Sequence, residues 1–221
     1  LLLTGVFWLA RTGARLTGAD AGAGNGVVLI DSGHGGSDPG KIGIHQEKEK
    51  DINLQIAKRL KKQLEKNGVK VYMTRENDVD LSEGDGGNSK VQDLKRRCEM
   101  VRKIQPDCVL SIHQNSYPEE AIHQNSYQDE QIRGAQVFYY EDSSEGKKLA
   151  EILQKHLVEV LDKENHRQAK GNRTYYMLKK TEATLVIVEC GFLSNNQEAL
   201  LLTDEKYQNK VAKAICSGTL E

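Results

Sequence analysis

The 221-residue chain has four cysteines, at 98, 108, 190 and 216, and no CxxC pair among them. A structural zinc knuckle or a thioredoxin-type motif therefore lacks its spacing. Cys108 and Cys190 sit in apolar runs and read as buried thiols rather than as a disulfide. There is no surplus of charge: 31 Lys and Arg face 32 Asp and Glu, for a net charge of -1. The basic residues are spread along helical stretches rather than clustered, so nothing points to a nucleic-acid surface. No apolar run reaches the ~20 residues that a membrane helix needs, and a mean hydropathy of -0.61 rules out a polytopic membrane protein. Apart from one duplicated hexapeptide there is no internal repeat. The length suits one domain with a sizeable core.

What is present starts with "LLLTGVFWLA" (1–10), which has the length of a signal-peptide h-region. "RTGARLTGADAGAGNG" (11–26) follows and reads as a Gly- and Ala-rich linker. Residues 1–26 are expected to be the remnant of an export signal or anchor with its linker, and 27–221 a catalytic domain acting outside the cytoplasm.

From residue 27 onward, apolar strands alternate with amphipathic helices. "VVLID" (27–31), "VKVYMT" (69–74), "DCVLSI" (107–112), "GAQVFYY" (134–140) and "TLVIVE" (184–189) read as strands. Ile52, Ile56, Leu60 and Leu64 recur every four residues in 49–68, ahead of Gly68, which predicts a helix. Helices are also expected over 91–105, 143–162 and 195–218, the last as one or two. Residues 164–183 read as a polar loop with a short apolar centre. This order implies a single α/β domain, a twisted and largely parallel sheet flanked by helices on both faces.

Three of these strands lead into polar residues of one chemical type: "VVLID" into His34, "CVLSI" into His113, and "TLVIVE" onto Glu189. Parallel strands place their C-terminal ends on one edge, where α/β proteins build sites. Glu49, at the start of the first helix, can reach the same edge. Each has a structural alternative: an exposed loop histidine, a carboxylate complementing the helix dipole, a hydrogen-bonded strand-end histidine. Glu189 is hardest to explain that way, because a carboxylate directly after Leu-Val-Ile-Val is costly to bury without a partner. Two His and one carboxylate form the donor set of an open catalytic zinc site, and a further carboxylate can serve as general base.

"IDSGHGGSDPG", "EKD-x-NL", "SIHxNS" and "VECGFLSN" together resemble the zinc-dependent N-acetylmuramoyl-L-alanine amidases of bacterial cell walls over roughly 27–217. The resemblance implies one zinc ion held by His34, Glu49 and His113, with Glu189 catalytic. Glu47 is a neighbouring carboxylate, but Glu49 is the one followed by Lys-Asp-x-Asn-Leu. The implied reaction cleaves the amide between N-acetylmuramic acid and L-alanine of peptidoglycan. "GAQVFYY" and the compact length resemble the germination-specific, spore-cortex branch, in which peptide removal prepares muramic δ-lactam in the cortex space. An activating protein is a possible partner; nucleic acid is not expected, nor is a membrane-embedded catalytic domain. Asp31 and Asn115 are candidates to orient the histidines, and Arg75 either to contact a substrate carboxylate or to tether its loop through Asp78. The rivals are a zinc metallopeptidase acting on wall peptides and a non-catalytic wall-binding relative.

The hexapeptide Ile-His-Gln-Asn-Ser-Tyr occurs at 112–117 and again at 122–127. Only the first copy is fed by an uninterrupted strand; the second follows "YPEEA", a loop signal. His113 is the expected ligand, with His123 as the alternative.

Overall fold

The structure, a computed structural model, describes residues 26–82, 89–117 and 132–221. The apolar stretch 1–10, most of its linker, and His123 lie outside the described residues.

The elements run β1 (Val27–Ser32), α1 (Glu49–Lys66), β2 (Lys70–Met73), α2 (Ser89–Ile104), β3 (Cys108–Asn115), β4 (Gln136–Tyr140), α3 (Ser144–Leu161), β5 (Lys170–Asn172), α4 (Tyr176–Lys180), β6 (Leu185–Phe192), α5 (Asn196–Thr203) and α6 (Glu205–Leu220). They form a single α/β domain around a six-stranded sheet in the order β2-β1-β3-β6-β4-β5. β1 runs parallel to both β2 and β3, and β3 parallel to β6. β4 pairs antiparallel with β6 and parallel with β5.

The strands alternate, and each parity faces a different layer. Val28, Ile30, Leu110, Ile112, Val186, Val188 and Cys190 point to one face, where they pack with Ile52, Ile56, Leu60 and Leu64 of α1 and with apolar residues of α3 and α6. Leu29, Val109, Leu185 and Ile187 point to the other, where α2 and the short α4 supply Cys98, Val101, Met177 and Leu178. Helix ends follow the expected chemistry. α1 carries Glu49 and Asp51 in its first turn and Lys66 in its last, which complements the dipole. Ser143 caps α3 by accepting from Gly146 N at 3.0 Å, and Asn195 caps α5 by accepting from Gln197 N and Glu198 N.

Residues 164–183 depart from the expected loop. They contain β5, paired with β4 through Phe138, Tyr139 and Tyr140, and α4. A strand of three residues and a helix of five are too short to write a period into the sequence; their pairing partners hold them in place. β3 and β6 also continue past the expected strand ends, to Asn115 and Phe192.

Candidate metal centre

The centre forms where β1, β3 and β6 end. β1 gives way after Ser32 to a turn held by Gly33 N donating to Ile112 O at 3.1 Å. A Cβ at Gly33 would stand 2.2 Å from the His113 ring, so only glycine lets the β1 turn pass beside that imidazole. His34 follows with φ +61°, in the left-handed region, a conformation costing of order 1–3 kcal/mol. Arg97 of α2 braces it: the guanidinium donates to the carbonyls of Ser32 at 2.7 Å and His34 at 2.8 Å. Gly40, with φ +70°, passes so close to Glu49 and His34 that a Cβ there would lie 2.5 Å from Glu49 Oε2.

His34, Glu49 and His113 converge. Glu49 Oε2 lies 3.1 Å from His34 Nε2, and Glu49 Oε1 lies 2.9 Å from His113 Nδ1. The imidazoles meet edge-on with centroids 5.0 Å apart. One donor atom from each residue falls within a 4.8 Å cluster, a possible metal site. The Glu49 carboxylate is fully engaged: it accepts from Lys41 N at 2.8 Å, Gln114 N at 3.1 Å and Asn53 Nδ2 at 3.3 Å. Burial alone would raise its pKa, but the two imidazoles hold it well below the carboxylate range. For His113, burial favours the neutral ring, yet Glu49 outweighs it and lifts the pKa to about 9. Each histidine thus points nitrogen at a buried anion, a place that favours a cation.

Glu189 sits beside His113 as its register partner on β6. It is 8 % exposed, and its Oε2 is buried without a hydrogen-bond partner. Burial pushes its pKa up to about 7, with His113 opposing and the Glu49 charge adding. Next to it a cavity of about 210 Å³ opens between the sheet, α2 and α4, walled by Leu94, Tyr175, Met177 and Ile187, with His34 at its edge. The donor chemistry, two imidazoles and a carboxylate, suits a borderline divalent ion such as zinc. Three protein donors, with the orphaned Glu189 oxygen on the neighbouring strand, are residues that fit such an ion.

The weaker candidates fall elsewhere. Asp31 touches neither imidazole. It accepts from Arg97 Nη1 at 2.7 Å, Thr74 Oγ1 at 2.9 Å and Ser111 Oγ at 2.5 Å. Burial opposes its ionisation, but Arg97 and Ser111 bring its pKa down to about 2. Asp31 therefore reaches His34 only through Arg97. Asn115 turns its side-chain oxygen to Ser116 N at 2.8 Å rather than to a histidine. Arg75 is buried and donates to the carbonyls of Ser32, Gly33, Lys50 and Asn77. Its loop is tethered through those carbonyls, while Asp78 pairs with Lys50 at 2.6 Å. Glu47 accepts from His45 N at 3.0 Å, away from the cluster.

Two residues escaped the sequence reading. Asp38 Oδ2 lies 2.8 Å from His34 Nδ1, and its other oxygen is 3.2 Å from Lys90 Nζ. A carboxylate behind a ligating histidine fixes the tautomer that leaves the other nitrogen free to bind. The signal was in "GHGGSDPG", four residues after His34. The other is Arg97, whose signal was its place three residues after Leu94 and four before Val101, on the apolar face of α2.

Such a cluster at the C-terminal edge of parallel strands, with a buried glutamate beside it, is the site of a hydrolase. Residues 28–221 match the family model Amidase_3, N-acetylmuramoyl-L-alanine amidase, and the chain belongs to that family. It is 36% identical over 197 residues to the germination-specific N-acetylmuramoyl-L-alanine amidase of Bacillus subtilis, covering 88% of this chain and 78% of that protein. Among solved structures it is similar to the CwlD amidase of Clostridioides difficile in complex with the GerS lipoprotein, with a TM-score of 0.80 and 36% identity over 88% of this chain and 96% of that one. It is also similar to the amidase AmiC2 of Nostoc punctiforme, with a TM-score of 0.74 and 30% identity over 90% of this chain and 97% of that one. The chain is a peptidoglycan amidase of this family. No helix among the described residues is long and apolar enough to cross a membrane.

Proposed function

We propose that the protein is a zinc-dependent amidase that cleaves the bond between the lactyl group of N-acetylmuramic acid and L-alanine, in spore cortex maturation. The observation that carries the reading is the orphaned, buried carboxylate oxygen of Glu189 beside the His34, Glu49 and His113 cluster. His34, Glu49 and His113 would hold the ion. Bound zinc would supply Lewis acidity, polarising the scissile carbonyl and lowering the pKa of water.

Glu189 acts as base and then as acid. Its free oxygen takes a proton from the attacking water as the new C–O bond forms, and delivers it to the alanine nitrogen as the C–N bond breaks. Asp38 holds the His34 ring. The cavity wall of Leu94, Met177 and Ile187 keeps bulk water from Glu189, which sustains its raised pKa. The metallopeptidase rival loses ground because Arg75, the cation proposed for a free substrate carboxylate, is committed to backbone carbonyls. The germination-specific relative supports the cortex role. The lipoprotein in the similar complex supports an activating partner and action outside the cytoplasm, with residues 1–26 as export or tethering segment.

The test is zinc content and release of peptide from purified peptidoglycan by Glu189→Gln beside the parent. The expected result is full zinc and a loss of rate of about 10²–10⁴-fold; parental activity would overturn the assignment. Zinc content also decides the doubled hexapeptide. His113→Ala should lose the metal and His123→Ala should keep it.

A further inference from the structure

Lysines that look dispersed along the sequence are gathered by the fold along the flank formed by α1 and α6. α1 starts at the centre with Glu49 and runs about 25 Å away from it to Lys66. α6 lies beside it in the same sense: Arg59 Nε donates to Gln208 Oε1, and Gln63 Nε2 to the carbonyl of Asn209. Along these helices lies an open groove of about 940 Å³, lined by the cations Lys58, Arg59, Lys61, Lys62, Lys66 and Lys213 against the carboxylates Glu65 and Glu76. Lys61 is taken by Glu76 and Arg59 by Glu205. Lys58, Lys62, Lys66 and Lys213 are exposed and make no ion pair among the described residues. Six cations facing three carboxylates, Glu65, Glu76 and Glu205, in a chain of net charge -1, is a local excess, not a general basicity.

The groove runs toward the edge where the N-terminal segment joins the fold. Gly26 O accepts from Lys70 N at 3.0 Å, and Lys70 opens β2 with an exposed side chain just beyond the end of α1. The segment before Gly26 carries the apolar stretch 1–10 on a Gly-rich linker. An apolar segment and a polybasic surface act together in membrane attachment.

We propose that this groove is a docking surface for a bilayer rich in anionic phospholipid. The proposal rests on the reading of residues 1–26 as an export or tethering segment. Phosphodiester headgroups complement the unpaired ammonium groups, each adding about fivefold to partitioning when it reaches the surface.

The experiment measures sedimentation of the full chain with vesicles of phosphatidylcholine alone or mixed equally with phosphatidylglycerol. The expected result is at least about tenfold stronger partitioning onto the anionic vesicles, weakened by salt. Replacing Lys58, Lys62, Lys66 and Lys213 by Gln should abolish that preference. Replacing Lys147, Lys148, Lys155 and Lys163, exposed lysines in and just beyond α3, removes the same charge and should leave the preference intact. Peptidoglycan hydrolysis in solution should be unchanged in both variants. No anionic preference in the parent, equal loss in both variants, or full displacement by soluble polyphosphate at matched charge would each overturn the proposal. Binding to phosphatidylcholine alone reads the tether separately. Hydrolysis reads the amidase assignment separately.

Discussion

The two faces of the sheet are built from alternate residues of the same strands and could hardly differ more. One face carries Ile30, Leu110, Ile112, Val186 and Val188 under α1, α3 and α6, all with no exposed surface. The other begins in the same way, with Leu29, Val109 and Leu185, but toward the strand ends it turns to Asp31, Ser111, His113 and Glu189. Among the described residues, α2 and the five-residue α4 cover it, and a cavity remains between them. The apolar face supplies stability by exclusion of water. The polar face uses the rigidity so obtained to hold ionisable groups in places they would not choose alone. The strain at His34 and the unpartnered oxygen of Glu189 are tolerated because the opposite layer does not move.

The comparison can be broken from either side. The largest effect on stability is expected on the polar face, at Arg97→Met. It would leave the buried Asp31 and Asp93 carboxylates without their cation and release the His34 carbonyl, costing about 3–5 kcal/mol in urea unfolding. Leu60→Ala on the apolar face should cost about 2–5 kcal/mol while zinc affinity, read by competition with a chelating dye, stays parental. If Leu60→Ala weakened zinc as much as it weakened the fold, the division between the faces would be wrong. Asp38→Asn should do the reverse: zinc binding weakened about 10–100-fold with little change in melting temperature, and Asp38→Glu partly restoring the affinity.

A smaller effect separates the charges by pH. Glu189 has its folded pKa raised, to about 7, so the folded chain binds more protons than the unfolded one between the ordinary carboxylate value and 7. Its charge therefore costs stability as pH rises through that range. Glu189→Gln should raise the melting temperature at pH 8, by an amount worth about 1–3 kcal/mol, with the gain fading toward pH 5. In chelator-treated protein the slope has the same sign for His113, whose folded pKa is raised to about 9, but it comes from a favourable pairing of the charged form at lower pH. Its pairing with Glu49 stabilises the fold fully below the unfolded histidine value and is lost as pH rises through 9. Melting curves of the chelated parent from pH 6 to 10 check this; a flat profile would remove the pair from the account.

Much of this was legible before any coordinates. Ile52, Ile56, Leu60 and Leu64 announced α1 through their spacing, and all four are buried in the larger core. His34, His113 and Glu189 were marked by polar chemistry at the ends of apolar runs and Glu49 by its place at the start of the first helix; His34, Glu49 and His113 converge as a possible metal cluster with Glu189 adjacent. The antiparallel direction of β4 was not legible, because an alternating pattern reads the same in both directions. β5 and α4 were hidden by their length. Asn115 and Asp31 were plausible by proximity in sequence, but the register of β3 shifts between His113 and Asn115, and an arginine from α2 captured the Asp31 carboxylate. Asp38 lay in plain view inside a quoted motif, with no periodicity to single it out.

By itself the sequence determined the α/β order of elements, the composition of each face, and the family, because these depend on local periodicity and on ordered motifs. The tertiary structure alone decided which polar residues touch. Contacts such as Glu49 with His113 and Arg97 with Asp31 join side chains from separate strands and helices. Their pairing depends on a register and a crossing that no single segment encodes.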